Sequence, residues 1–277
     1  EVLGAVRERV GPDFILGIRY VADEDTPAGY GQAEGIEISR RLKDSGLIDF
    51  LNVTKGHIET DAGLTDNIPI MGMASAPFLD LAGEVIIENP AGAHNVAVGL
   101  NAPATVTVDG HVGYYAAGMN QQADVVINGN AGTGVAENMM SGSVWVKGDA
   151  SQSAGATAHG GLLVVEGNAA ARCGISMKGV DIVVGGNVGH MSAFMAQAGR
   201  LVIRGDAGEV LGDSIYEARI YVRGEVASLG ADCIAKPMRE EHHQELGQLL
   251  KAAGFDDIYT LEGGIAAWTA AGLPLIK

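Results

Sequence analysis

The sequence predicts a mainly β protein. Residues 84–236 form a right-handed parallel β-helix with 19-residue coils, flanked by an α/β segment at 1–83 and a helical tail at 237–277. Three observations predict it. The segments TVTVDGHVG, DVVINGNAG, SVWVKGDAS, LLVVEGNAA, DIVVGGNVG, RLVIRGDAG and RIYVRGEVA align without a gap, placing Gly110, Gly129, Gly148, Gly167, Gly186, Gly205 and Gly224 at intervals of 19. Aliphatic residues stand two positions before each glycine (Val108, Ile127, Val146, Val165, Val184, Ile203, Val222) and four before (Val106, Val125, Val144, Leu163, Ile182, Leu201, Ile220). The residue directly before the glycine is polar or charged in all but Gly185.

The period-2 spacing of the two aliphatic columns places them on one strand face, so the polar column faces water. A repeat of 19 residues is too short for a strand plus a crossover helix, which takes about 30. It fits one coil of a solenoid whose strands each bond to their equivalent one turn later, about 4.8 Å away. The LxxLxLxxN pattern of leucine-rich repeats is absent. Seven residues after the glycine come Ala117, Ala136, Gly155, Gly174, Ala193, Gly212 and Ala231, a column small enough for a tight corner in a narrow core. Glycine at a corner enters left-handed backbone without a Cβ penalty and permits close coil-to-coil approach.

Residues 84–101, EVIIENPAGAHNVAVGLN, read as an irregular first coil. PMREEHHQELGQLLKAAG, at 237–254, reads as an amphipathic helix over or beyond the last coil, covering one open end. Before the solenoid, DFILGIRYV and IDFLNV read as strands on either side of a helix, EGIEISRRLKDSG, with Ile36, Ile38, Leu42 and Leu47 on its packed side. Strand, helix, strand is the order of a βα unit.

The formal net charge of −16 argues against nucleic acid, whose binding draws on Lys and Arg. Cys173 and Cys233 form neither a CxxC pair nor a four-thiol set, which removes iron–sulfur ligation and a disulfide framework. No run approaches the roughly 20 apolar residues that span a bilayer, and the first residues lack the order of a signal peptide, so no membrane and a cytoplasmic location are expected. Asn52-Val53-Thr54 matches a glycosylation sequon inside an apolar run and reads as coincidence.

No catalytic or metal centre emerges within the β-helix. His111, His159 and His190 fall at different offsets from their glycines and therefore in different columns. His242 and His243 are neighbours on a polar helix and point apart. Gly185-Gly186-Asn187-Val188-Gly189 lacks the following helix that a phosphate loop uses. Met139, Met140, Met177, Met191 and Met195 read as filling for uneven corners, or else as the lining of a partner surface. The expectation is a structural and assembly module without its own catalytic centre.

Three resemblances extend this reading. HVGYYAAGMNQQADVVINGNAGTGVAENMMSG, ASQSAGATAHGGLLVVEGNAAARCGISMKGVDIVVGGNVGHMSAFMAQAG and GDSIYEARIYVRGEVASLGAD resemble the glycine-patterned C-terminal domain of the glutamate synthase large subunit, in the separate-subunit form associated with N-methylglutamate synthase. The resemblance covers residues 84–246. It implies a β-helix that carries no cofactor and packs against amidotransferase and flavin/iron–sulfur synthase subunits.

FILGIRYVADEDTPAGY, EGIEISRRLKDSGLIDFLNVTKGHIETDAG and IPIMGMASAPFLDLAGEV resemble the flavin-binding barrel of the old yellow enzyme class, particularly its dimethylamine and trimethylamine dehydrogenase branch, over residues 1–85. That resemblance implies FMN, with Arg19 at a strand end contacting the flavin and His57 on the active-site rim. The earlier barrel strands and the later phosphate-binding strands have no counterpart, and a closed barrel takes about 250 residues. The expectation here is a partial-barrel fragment. The alternative function is an FMN-dependent oxidoreductase completed by other protein segments.

FDDIYTLEGGIAAWTAAGLPLIK resembles the end of a rhodanese-like sulfurtransferase domain, over 250–277, with Trp268 docking a short helix. The cysteine loop that should precede it is missing, so sulfur transfer is not expected. Three family pieces imply a natural fusion, a faulty gene join or a designed chimera.

Overall fold

The computed structural model of the chain describes residues 1–24, 26, 29–55 and 84–255. The chain divides into two compact units, Glu1–Val85 with Asn101–Ala104, and Ile86–Leu100 with Thr105–Lys277.

In the first unit, α1 (Val2–Val10) precedes β1 (Gly17–Asp23), α2 (Gln32–Asp44) and β2 (Phe50–Lys55). β1 and β2 pair in parallel, with Gly17 opposite Phe50, Arg19 opposite Asn52 and Tyr20 opposite Val53. This is a two-stranded sheet. The partial-barrel expectation is corrected accordingly, because a barrel needs a ring of strands that closes on itself, and the described residues supply one βαβ unit.

α2 begins where the Gly31 N–H donates to the Glu34 carboxylate at 3.1 Å. It packs through Gly35, where any Cβ would collide with the Ala22 carbonyl. The Tyr20 hydroxyl donates to the Gly35 carbonyl at 2.8 Å and also meets the Ser39 hydroxyl. Ile36 is 38% exposed. The packed side of α2 therefore centres on Gly35 and Ser39, not on Ile36 as its apolar spacing suggested.

Arg7 ties α1 to the entries of both strands. Its guanidinium donates to the carbonyls of Leu47 at 3.1 Å and Phe14 at 2.6 Å, and to the Asp49 carboxylate at 2.7 Å. The Leu16 N–H donates to the same carboxylate at 2.7 Å. These bonds, from the Leu16 amide first and Arg7 second, hold the Asp49 carboxyl below the usual carboxylate range.

The second unit is a β-solenoid. Its strands are β3 (Glu84–Glu88), β4 (Thr105–Asp109), β5 (Asp124–Ile127), β6 (Ser143–Val146), β7 (Leu162–Val165), β8 (Lys178–Val184), β9 (Ala198–Ile203) and β10 (Arg219–Val222). They lie in chain order in one sheet, and those from β4 to β10 pair in parallel. Val106 pairs with Val125, Val125 with Val144, Val144 with Leu163, Leu163 with Ile182 and Ile182 with Leu201. Both aliphatic columns are buried through β9, because each coil lies against the apolar side chains of the next.

A second ladder follows each strand. The side-chain oxygens of Asn130, Asp149, Asn168, Asn187 and Asp206 each accept the backbone N–H of the residue 19 positions on, at 2.7 to 2.9 Å. This ladder explains the recurring glycines. A Cβ on Gly148, Gly167, Gly186, Gly205 or Gly224 would collide with the oxygen of the rung below, and one on Gly129 would stand 2.5 Å from the Gly110 carbonyl. Of the seven, Gly110 alone has a left-handed backbone, with φ 142°. Close approach, not corner turning, is what requires glycine here. The left-handed corner positions include Ala117, Ala136 and Ala193, at φ 53°, 56° and 56° and fully buried. A larger side chain has no room there, and the small methyl tolerates the strained backbone.

α3 (Glu240–Ala252) covers a face of the solenoid rather than its end. Its Leu249, with the following Ala253, packs on Val164, Val183, Val202 and Tyr221, the outward-facing middle residues of β7 to β10, with Trp145, Leu246, Leu250 and Phe255 around them. The end stays open. Val226 in the last coil is 37% exposed, while its equivalents Val112, Ala131, Ala150, Ala169, Val188 and Ala207 are 2–5% exposed. The end-covering helix is thus corrected. Val164, Val183, Val202 and Tyr221 on the outer strand face make an apolar strip, and the helix buries it by lying along it. The rhodanese-like reading of the tail, Trp268 included, lies outside the described residues beyond Phe255. Among the described residues no helix is long and apolar enough to cross a membrane.

Candidate functional site

β1 sets the candidate site. Because α2 contacts Tyr20 and Ala22, alternation along the strand puts Arg19 on the opposite face. Arg19 is exposed, and its guanidinium bonds no side chain or carbonyl among the described residues. Beside it in register stands exposed Asn52, a neighbour set by strand pairing that linear reading did not single out. On the same face the Phe50 ring lies over Gly17, where any Cβ would overlap it. Arg19 is the third residue of β1 and stands near the start of the strand, rather than at the C-terminal end where barrel enzymes carry their chemistry.

The C-terminal end of β1 leads into a tied loop. The Glu24 N–H donates to the Tyr30 carbonyl at 3.0 Å, and the Tyr30 N–H donates to the Glu24 carboxylate at 3.2 Å. The Tyr30 hydroxyl donates to the Val21 carbonyl. Burial first, and the Glu24 charge second, push the Tyr30 phenol up. His57 follows β2 by two residues in the chain and lies outside the described residues.

A second charged cluster, also missed in the sequence, fastens α3 to the sheet. Arg200 makes two bonds of 2.6 Å to Asp181 and one of 3.1 Å to Glu245. Arg219 reaches both Glu245 oxygens, at 3.1 and 3.0 Å, and the Tyr221 hydroxyl donates to the same carboxylate. Burial alone would raise the Glu245 carboxyl. The bonds from Tyr221, Arg219 and Arg200 together outweigh it and leave the group below its ordinary value. Every charge in the cluster has a partner within it, so its role is structural.

The other sequence candidates are dispersed. His111 accepts the Asn130 N–H through Nδ1 at 2.9 Å and so occupies a ladder position. His159 and His190 are exposed at separate positions. No group of three or more His, Cys, Asp or Glu among the described residues is arranged to hold a metal ion. Cys173 is fully buried, which pushes its thiol up to about 12, and Cys233 is raised by the same cause. Neither thiol is activated, since reactive cysteines need a lowered pKa.

Comparison with known proteins decides between the resemblances. The chain is 65% identical over 85 residues to a probable N-methylproline demethylase of Rhizobium meliloti. It is 41% identical over 83 residues to a multifunctional alkene reductase/demethylase of Caballeronia cordobensis, and 38% identical over 85 residues to an N,N-dimethylglycine/sarcosine dehydrogenase of Chromohalobacter salexigens. Each match covers 30–31% of this chain and 12% of the relative's length. No family model and no solved structure matches.

These relatives correct the glutamate synthase assignment of residues 84–246, since the likeness found is to demethylases and dehydrogenases. They equally correct the reading of the chain as a purely non-catalytic scaffold.

Proposed function

We propose that residues 1–83 are part of the flavin-bearing domain of an FMN-linked oxidoreductase acting on N-methylated amino acids or related amines, completed by other protein segments. In this reading the matched stretch of about 85 residues is the N-terminal one, residues 84–236 are the solenoid domain, and 237–277 are its helical appendage.

The observation that carries the proposal is Arg19. The face of β1 turned away from α2 presents a guanidinium that bonds no side chain or carbonyl among the described residues, with Asn52 beside it in register. A cation with five donors and a neighbouring amide fit the carbonyl-rich edge of a flavin ring. FMN, when bound, supplies the acceptance of a hydride. Arg19 would hold and orient the ring and stabilise negative charge as it develops there. Substrate class follows the relatives, two of which are named for N-methylated amino acids.

FMN titration into the protein assembled with its completing segment, followed by flavin fluorescence, tests this. Arg19→Ala is expected to weaken binding by about tenfold or more, the scale of one charge-assisted hydrogen bond. Absence of FMN binding to both proteins overturns the proposal.

A further inference from the structure

We propose that the first coils of the solenoid are latched by two neutral histidines and loosen when these take up protons. His94 Nδ1 accepts the Tyr114 N–H at 2.8 Å, and His111 Nδ1 accepts the Asn130 N–H at 2.9 Å. The His94 ring also stacks on Tyr114, with centroids 4.5 Å apart. A backbone N–H only donates, so each Nδ1 must keep its lone pair and each ring its single proton on Nε2. Protonation turns both Nδ1 atoms into donors facing donors, and the two bonds are lost.

The place of His111 in the ladder makes the effect local. In the following coils its role passes to Asn130, Asp149, Asn168, Asn187 and Asp206. Amide oxygens do not titrate, and carboxylates titrate well below the range in which imidazole ordinarily takes up a proton, near pH 6.5. Among these ladder acceptors His111 is the one imidazole, the side-chain type whose charge ordinarily changes nearest neutral pH. Packing there is looser than in the middle of the solenoid, since Val96 and Val98 of the first coil are half-buried while Val135 two coils on is fully buried.

The titratable groups on the packed elements are Glu88 and Asp109 at the ends of β3 and β4, Tyr114 against His94, and Asp149 one rung beyond Asn130. Neither imidazole is ion-paired among the described residues.

Amide hydrogen exchange of the full chain, corrected for intrinsic rates, tests the latch. On going from about pH 7.5 to 5.5, protection at Asn130 and Tyr114 is expected to fall about fivefold more than at Asp149, Asn187 and Asp206, the scale of one lost hydrogen bond. His111→Asn, which supplies the ladder's own acceptor, should keep Asn130 protected at both pH values. Parallel loss at all five amides in the parent protein overturns the proposal, and so does a pH-dependent Asn130 in folded His111→Asn. The comparison within the parent protein decides the matter even if the variant does not fold.

Discussion

Leu249→Ala tests whether α3 is held by the solenoid face. Leu249 is 6% exposed and packs on Val164, Val183, Val202 and Tyr221. Truncating a buried leucine costs about 2–5 kcal/mol, and because one side of this site is the rim of a surface helix that can settle inward, about 2–3 kcal/mol is expected. The loss should fall on helix docking, since the coil core of Val106 to Leu201 lies on the other face of the same strands. Trp145 reports docking directly, because a Cβ on Gly254 would lie 3.2 Å from its ring. The chain has two tryptophans, Trp145 and Trp268, so the measurement is made with Trp268→Phe. In a urea series, Leu249→Ala should shift the Trp145 emission change to lower urea and leave the β signal in circular dichroism where it was. An unchanged Trp145 transition would refute the packing argument, and so would simultaneous loss of both signals at the earlier point.

The Glu245 cluster gives docking an acid dependence. Glu245 has a lowered folded-state pKa, so its contribution is present above the ordinary glutamate value of about 4.3 and is lost as pH falls through the lowered one. Trp145 emission followed through acid should show undocking there, and Glu245→Gln should be weaker at neutral pH and flat through that window. For the thiols, burial that pushes Cys173 up to about 12 predicts no reaction with a thiol reagent near pH 8 in the native protein, while the less buried Cys233 reacts first. Equal labelling rates before denaturation would contradict the burial argument.

How much of this was legible in the sequence depended on the range of the contact involved. The columns ending at Leu201 and Ile203 were readable because a solenoid turns a fixed sequence interval into a spatial neighbour, so periodicity alone names the partner. The asparagine ladder was present in the same alignment, one position after each glycine. Its role appeared only when Gly186 was seen to leave room for the Asn168 oxygen. The fate of α3 was not legible. Its apolar stripe announced burial, but Val183 and Val202, which receive it, sit at positions that strand alternation alone assigns to solvent. The candidate site divides the same way. Arg19 was visible through resemblance, whereas its neighbour Asn52 and its open face came from the pairing of β1 with β2 across more than thirty residues of chain.

The sequence by itself determined the coil length and the core columns, because these follow from interval and residue type. Only the tertiary structure decided which strand face the helix covers, why the repeated positions must be glycine and that β1 and β2 of the N-terminal segment pair in parallel. Those depend on the non-bonded distance between backbone, side chain and neighbouring element, a quantity that residue order constrains only where the chain returns to itself at a constant interval.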